Sequence, residues 1–250
     1  SGSTQAYIED AKINQDGGNA NANAAQQVSV GASSHAFGLG GLVGIAAGAG
    51  AASVATNVDT AVFSREVKAR LSNVTLASKG ETAVRANSTQ AASSVLTTIA
   101  GGIVGVAATT SVLNLKGSTQ ALIEKASSLN VGSLKVAASA VNRLSPNLYV
   151  GAGGVGAVGA GVAYASNLSS VRAWVGDAAS GAGTGTTKVT TSGAIGIDAQ
   201  STTSVSSQSV SAAGGGVGAA GSINVVMLEN TTEAGASRAE FGRSSARAGS

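Results

Sequence analysis

The sequence predicts an all-β protein built as a column of stacked coils, a parallel β-solenoid or β-helix. Three observations predict it: a composition of small and β-branched residues, three blocks that recur in a fixed order, and a period-two alternation inside one of those blocks.

Of 250 residues 36 are glycine and one is proline, 3% are aromatic and 11% charged, and a hydrophobic fraction of 43% is mostly Ala and Val. Abundant Val, Ile and Thr with so little charge is the reverse of a disordered composition. A conventional core leans on large side chains. Small residues suit a narrow interior in which backbones stack closely in thin layers.

The first recurring block is rich in Thr, Gln and Ala: STQAYI at 3–8, VDTAVF at 58–63, STQALI at 118–123, SVRAWV at 170–175 and NTTEAGA at 230–236. Its aligned alanines are Ala6, Ala61, Ala121, Ala173 and Ala234, spaced by 55, 60, 52 and 61 positions on subtraction. The second block alternates: VSVGA at 28–32, TAVRA at 82–86, LKVAA at 134–138 and IGIDA at 195–199, ending on Ala32, Ala86, Ala138 and Ala199. The third is glycine-rich: GGLVG at 40–44, GGIVG at 101–105, and GGVG at 153–156 and 215–218. Three markers in constant order over four cycles define one repetitive segment, 1–250, with repeats of 52–61 residues and an end, 237–250, expected to fray. The chain begins Ser1-Gly2-Ser3, without an initiator Met or an export signal, and reads as a segment of something longer.

Alternation such as Val28, Val30, Ala32 and Leu134, Val136, Ala138 puts one set of side chains on one side of a strand and Ser29 or Lys135 on the other. Turn signals at Gly17-Gly18-Asn19, Lys79-Gly80 and Ser192-Gly193 separate the strands. Each repeat then divides into three coils of about 20 residues, and the chain into about a dozen coils some 4.8 Å apart, a rod of about 55–60 Å. Successive coils satisfy each other's backbone groups, so only the two ends stay open.

The glycine blocks admit a competing reading. From Ala36 to Val58 there is no charge, and Gly40, Gly44 and Gly48 follow the small-xxx-small pattern of packed membrane helices. With 99–115, 150–165 and 212–228 they would make a Gly-rich transmembrane helical bundle. Few Leu, Ile or Phe, and no flanking aromatic belt, argue against it, and no membrane span is expected.

The order of a GGxVG run, an N-x-x-x-N-T-T-x-A block and an alternating V-x-V-x-A block resembles the repeats of very large adhesins of Gram-negative bacteria. These are the filamentous-haemagglutinin-like, two-partner-secreted and leukotoxin-like autotransporter exoproteins. GGGVGAAGSINVVMLENTTEA at 214–234 carries the likeness best, with Asn224 and Asn230 in place, whereas the repeats near 119 and 171 lack the Asn before the Thr block. The resemblance implies a right-handed parallel β-helix, exported unfolded and folding outside the cell. It carries over no catalytic residue.

Chemistry-bearing residues are sparse. There is no cysteine, so disulfides, thiolate zinc sites and a cysteine nucleophile are excluded, and the single histidine, His35, excludes His-based metal clusters and falls at an expected turn. Arg65, Lys68 and Arg70 lie close together, but Glu66 interrupts them and no stacking aromatics accompany them, so a solvated face explains them and no nucleic-acid partner is expected. Glu9, Glu124 and Asp177 follow equivalent blocks and could align on one face, as a β-helix polysaccharide lyase or hydrolase would require, or as a plain solvated row. Tyr7, Phe63 and Trp174 each follow a recurring alanine within two positions and could stack on one side as a contact surface. GAGTGTTK at 181–188 lacks the aspartate of a calcium repeat.

The sequence thus predicts a structural or adhesive module of a secreted or cell-surface bacterial adhesin, a rigid stalk and contact surface serving cell adhesion or biofilm formation. It is expected to be extracellular, without enzymatic activity, cofactor or metal. Its partners would be a host or neighbouring-cell surface protein or glycan, or its own rods side by side. The alternative is a polysaccharide-binding or polysaccharide-cleaving β-helix protein.

Overall fold

The computed structural model describes residues 1–14, 26–47, 52–177 and 185–243. Among these the chain is all strand and turn, arranged as two parallel sheets. The first contains, in spatial order, β1 (Gly2–Glu9), β4 (Ala52–Ser72), β6 (Val104–Glu124), β8 (Gly156–Val175) and β12 (Val217–Ala236). In the second, β2 (Lys12–Ile13) and β3 (Val28–Ala47) lie against β5 (Thr75–Gly101), followed by β7 (Ser128–Gly153). Then come β9 (Thr187–Thr191), β10 (Ile195–Val205) and β11 (Gln208–Gly214), with β13 (Ala239–Arg243) beside β9. The chain crosses from one sheet to the other and back, adding one row to each per cycle.

Register fixes what a repeat is. Ala32 pairs with Ala86, Ala86 with Ala138 and Ala138 with Ala199, so the alternating block stacks on itself once per repeat. In the first sheet Ala6 pairs with Ala69, not Ala61, and Ala69, Ala121, Ala173 and Ala234 continue the column. Ala61 sits opposite Leu113 instead. Coils of about 20 residues would have paired positions about 20 apart. The expected three coils per repeat and dozen per chain are therefore corrected: one repeat is one passage through both sheets, and the first sheet has five rows. At about 4.8 Å per row the stack rises roughly 20 Å, while the 26-residue β7 can extend roughly 85 Å at about 3.3 Å per residue.

The strands are long because interruptions that look like turns are absorbed. Lys79-Gly80 is a bulge, two residues opposite the single Gly132, and a Cβ on Gly132 would lie 2.0 Å from the Lys79 carbonyl oxygen. Ser192-Gly193 separates only β9 from β10, both of which lie on β7. Gly17-Gly18-Asn19 lies outside the described residues, as do 244–250. Ala239–Arg243, within the stretch expected to fray, pairs with β9. The one proline, Pro146, lies inside β7. The gap between β10 and β11 falls opposite it, between the partners of Leu144 and Asn147, where proline has no N–H to offer a neighbouring row.

Two corners return the chain. At one, the aligned pairs Gly101-Gly102, Gly153-Gly154 and Gly214-Gly215 lead from the second sheet to the first. Gly154 and Gly215 have φ of 152° and 154°, and a Cβ on Gly215 would come 1.5 Å from the Gly154 carbonyl oxygen. The GGLVG at 40–44 is not part of this row; Gly40 pairs with Ser94 within β3. At the opposite corner Asp10, Asn73, Lys125 and Arg238 all have φ between 50° and 57°. Asn73 donates from Nδ2 to Asp10 Oδ1 at 2.6 Å, so one corner residue steadies the next.

The sheets face each other across a gap of alternating apolar and polar belts. Val67, Ala69, Leu71, Val84, Ala86, Ile123, Leu134, Val136 and Val171 form the main cluster. Smaller clusters surround Leu113 and Leu144, Leu96 and Leu148, and Ala107 and Ala157 near the glycine corner. Between them lie buried Gln90, Asn142, Asn167, Ser169, Thr98 and Thr109. Asn167 donates to Thr203 Oγ1 at 2.9 Å and to Asn230 Oδ1 at 2.6 Å, and Asn142 donates to Ser169 Oγ at 3.2 Å. The Gly-rich blocks are strands and corners, which replaces the helical-bundle alternative, and no helix among the described residues is long and apolar enough to cross a membrane.

Two substitutions check this fold by denaturant unfolding. Gly215→Ala forces a Cβ into the Gly154 carbonyl and should cost more than about 2 kcal/mol, whereas Gly214→Ala, with nothing within 4 Å, should stay within about 0.5 kcal/mol of the parent. Asn167→Ala removes the hydrogen bonds to Thr203 and Asn230, which stay bonded to each other, and should cost about 1 kcal/mol.

Candidate functional site

The side chains facing outward on the first sheet follow from strand parity. In β1, Ala6 and Ile8 pack against the main core cluster, so Tyr7 and Glu9 face out, and in β8 Val171, Ala173 and Val175 turn Arg172 and Trp174 out. Tyr7, Arg70, Leu122 and Trp174 occupy one column in successive rows. The expected alignment of Tyr7 and Trp174 thus holds, three rows apart. Phe63 does not join them. It belongs to a different column, beside Leu115, and packs inward, its ring over Gly38, where an added Cβ would lie 1.9 Å from Phe63 Cζ. Phe63 stands two residues after Ala61, an even step that keeps it on the inward side with that alanine, whereas Tyr7 and Trp174 each stand one residue after theirs.

Both rings carry a cation. The Arg70 guanidinium lies 5.8 Å from the Tyr7 centroid and that of Arg172 lies 4.5 Å from the Trp174 centroid. Trp174 also donates from Nε1 to Ser237 Oγ at 3.3 Å, and Arg172 pairs with Glu233 at 3.3 Å.

The acids converge in part. Glu9 and Glu124 share a column through Ser72, and Arg70 bridges them, 2.9 Å from Glu9 and 3.4 Å from Glu124. Lys125 Nζ lies 3.0 Å from Glu9. The Lys125 hydrogen bond, helped by the charges of Arg70 and Lys125, holds the Glu9 carboxyl below its usual range, against a smaller opposing effect of desolvation. A carboxylate stabilised as the anion is a poor proton donor near neutral pH, so Glu9 does not suit the role of general acid. Asp177 leaves this row. It is buried at the corner and accepts the Lys125 backbone N–H at 3.1 Å.

The remaining residues singled out in the sequence stay apart. His35 is exposed within β3, opposite Thr89, and not at a turn. Arg65 points inward to Ser34 Oγ at 3.2 Å, while Arg70 engages Glu9 outside, so the basic trio is divided between two faces. Asn224 lies in β12 opposite Ala163, and Asn230 completes the inner network with Asn167 and Ser169. Among the described residues no three His, Cys, Asp or Glu could hold a metal ion. Surface hollows are open ones, such as that beside Ser1, Arg65 and Ser118 and that beside Lys135, Ser139 and Asp198.

Sequence reasoning missed how charge is partitioned. Residues 86–115, 144–171 and 199–228 carry no charge, and between His35 and Arg65 the one charged residue, Asp59, faces Ser94 Oγ at 2.6 Å. The register lays these four stretches against each other around the glycine corner. Among the described residues, every large apolar side chain more than half exposed lies in them, except Tyr7. The signal was available: the charge-free runs recur with the repeat. The site so defined belongs to an all-β protein of long parallel strands, with a charged, aromatic margin and an uncharged one. No protein-family description, curated protein or solved structure matches the chain.

The Glu9 cluster makes a pH prediction. Because its pKa is lowered on folding, Glu9 contributes stability above the ordinary carboxylate range, and that contribution disappears as pH falls through the lowered value. Lys125→Met should move the Glu9 titration midpoint upward in a carboxyl-detected NMR titration, and Lys188→Met should leave it in place.

Proposed function

We propose that the two sheets close into a right-handed β-solenoid, and that the chain is a structural and adhesive module of a large secreted bacterial exoprotein at the outer cell surface. The observation that carries this reading is the register: each row is one whole repeat, so further repeats extend both sheets without a new fold. A repeat of over 50 residues advances the stack by only about 4.8 Å, which makes the module a broad band. It therefore serves contact more than reach. Many weak contacts along such a band add through avidity.

The contact margin is the column of Tyr7, Arg70 and Trp174 with the neighbouring Arg172, where flat rings and guanidinium groups suit a glycan or a surface protein of a host or neighbouring cell. Beads carrying the chain should adhere to epithelial cells or immobilised glycans, and Tyr7→Ala with Trp174→Ala should lower adhesion by about tenfold, the effect of about 1.4 kcal/mol. Adhesion no greater than that of bare beads sinks the proposal.

A second reading, polysaccharide binding or cleavage, is favoured by one feature, the convergence of Glu9 and Glu124 on Arg70. A reducing-sugar release assay over a polysaccharide panel separates the two. The module releases nothing; turnover that Glu9→Gln or Glu124→Gln abolishes would establish an enzyme.

A further inference from the structure

The uncharged part of the first sheet presents an outward face of four rows, from 52–63, 104–115, 156–167 and 217–228. Four rows about 4.8 Å apart and about 12 residues long at 3.3 Å each enclose on the order of 750 Å². The largest apolar patch of an ordinary monomer is about 300–600 Å², and each partner in a stable complex contributes roughly 800 Å².

The relief of this face is regular. Val54, Val106 and Val158 stack in one column as a ridge. The next outward column, two residues on, is Thr56, Ala108, Ala160 and Gly221, a shallow groove over Ala108, Ala160 and Gly221 that Thr56 closes at the first row. Beyond it Val58, Thr110, Val162 and Ile223 raise a second ridge. A groove between two ridges of equal spacing accepts a ridge of an identical surface, and a two-fold axis then satisfies both copies at once. Sheets with short side chains pack face to face about 10 Å apart. No charge has to be desolvated, and outward Thr60, Thr110 and Asn114 supply hydroxyl and amide groups that suit a protein neighbour better than lipid hydrocarbon.

We propose that this face pairs with the same face of a second copy of the chain, ridge into groove, forming a lateral dimer. The pairing uses the uncharged margin and leaves the Tyr7 and Trp174 column free, so it does not depend on the adhesive role.

Sedimentation velocity over a micromolar concentration series tests it. The chain should sediment as a dimer. Ala160→Lys, a charge on the groove floor, should weaken dimerisation at least tenfold, while Ser139→Lys on the charged part of the second sheet should leave it unchanged, both with the parent far-ultraviolet circular dichroism. Because the chain has no cysteine, Ala160→Cys gives an independent readout that tolerates a folding defect in the lysine variant: a short bismaleimide should link it into dimers, and Ser139→Cys should stay monomeric. Three results overturn the proposal: a monomer at all concentrations, open-ended oligomers indifferent to Ala160→Lys, which would place association at the sheet ends, or a monomer that floats with phosphatidylcholine vesicles, which would make lipid the occupant.

Discussion

The parallel hydrogen-bonded ladder, with each strand's neighbour one full repeat away, is the constraint on which everything else depends. In a parallel pair the bonds are evenly spaced and the register is tied residue to residue, so a substitution in one repeat acts directly on its equivalents in the rows above and below. That explains why alanine recurs at Ala86, Ala138 and Ala199. It also explains why the glycines at 154 and 215 cannot take a side chain: the carbonyl of the preceding row occupies the space. Length variation enters where the ladder tolerates it, at the bulge of Lys79-Gly80 and between β9 and β10.

A slab of this kind has little room for a bulky core. Its gap is filled by Ala, Val and Leu in separate belts, and the belts between them are polar because hydroxyls and amides can bond across the gap or to the next row. Asn167 with Asn230 and Thr203 does both. Such a network is stabilising when complete and costly when a member is removed. The same narrowness explains why Phe63 must sit over a glycine, Gly38.

The two margins of the slab differ chemically because the two corners do. At the left-handed corner, Asp10, Asn73 and Lys125 are polar residues, and the flanking strands carry the ion cluster of Glu9, Arg70 and Glu124 and the cation-bearing rings. At the glycine corner Gly154 and Gly215 have no room for a Cβ, and the adjoining strands are uncharged. One margin is thereby suited to polar ligands and the other to a flat apolar neighbour, which links the adhesive reading and the lateral dimer to a single feature of the fold.

The sequence by itself determined the strand class, the existence of a repeat and the in-register stacking of its alternating block, because period-two patterning and block order are local and survive without knowledge of partners. The two-sheet assembly, the number of rows and the column in which each aromatic lies were decided by tertiary pairing. A glycine or a Lys-Gly pair reads as a turn in one dimension, yet a neighbouring row can hold the strand extended through it, as β5 and β7 do at Lys79 and Gly132. A shift of the alignment from Ala69 to Ala61 keeps the repeat and the inward face legible, yet it places Phe63 in the wrong column. Only the hydrogen-bonded register, which joins residues 52 to 63 positions apart, distinguishes the two.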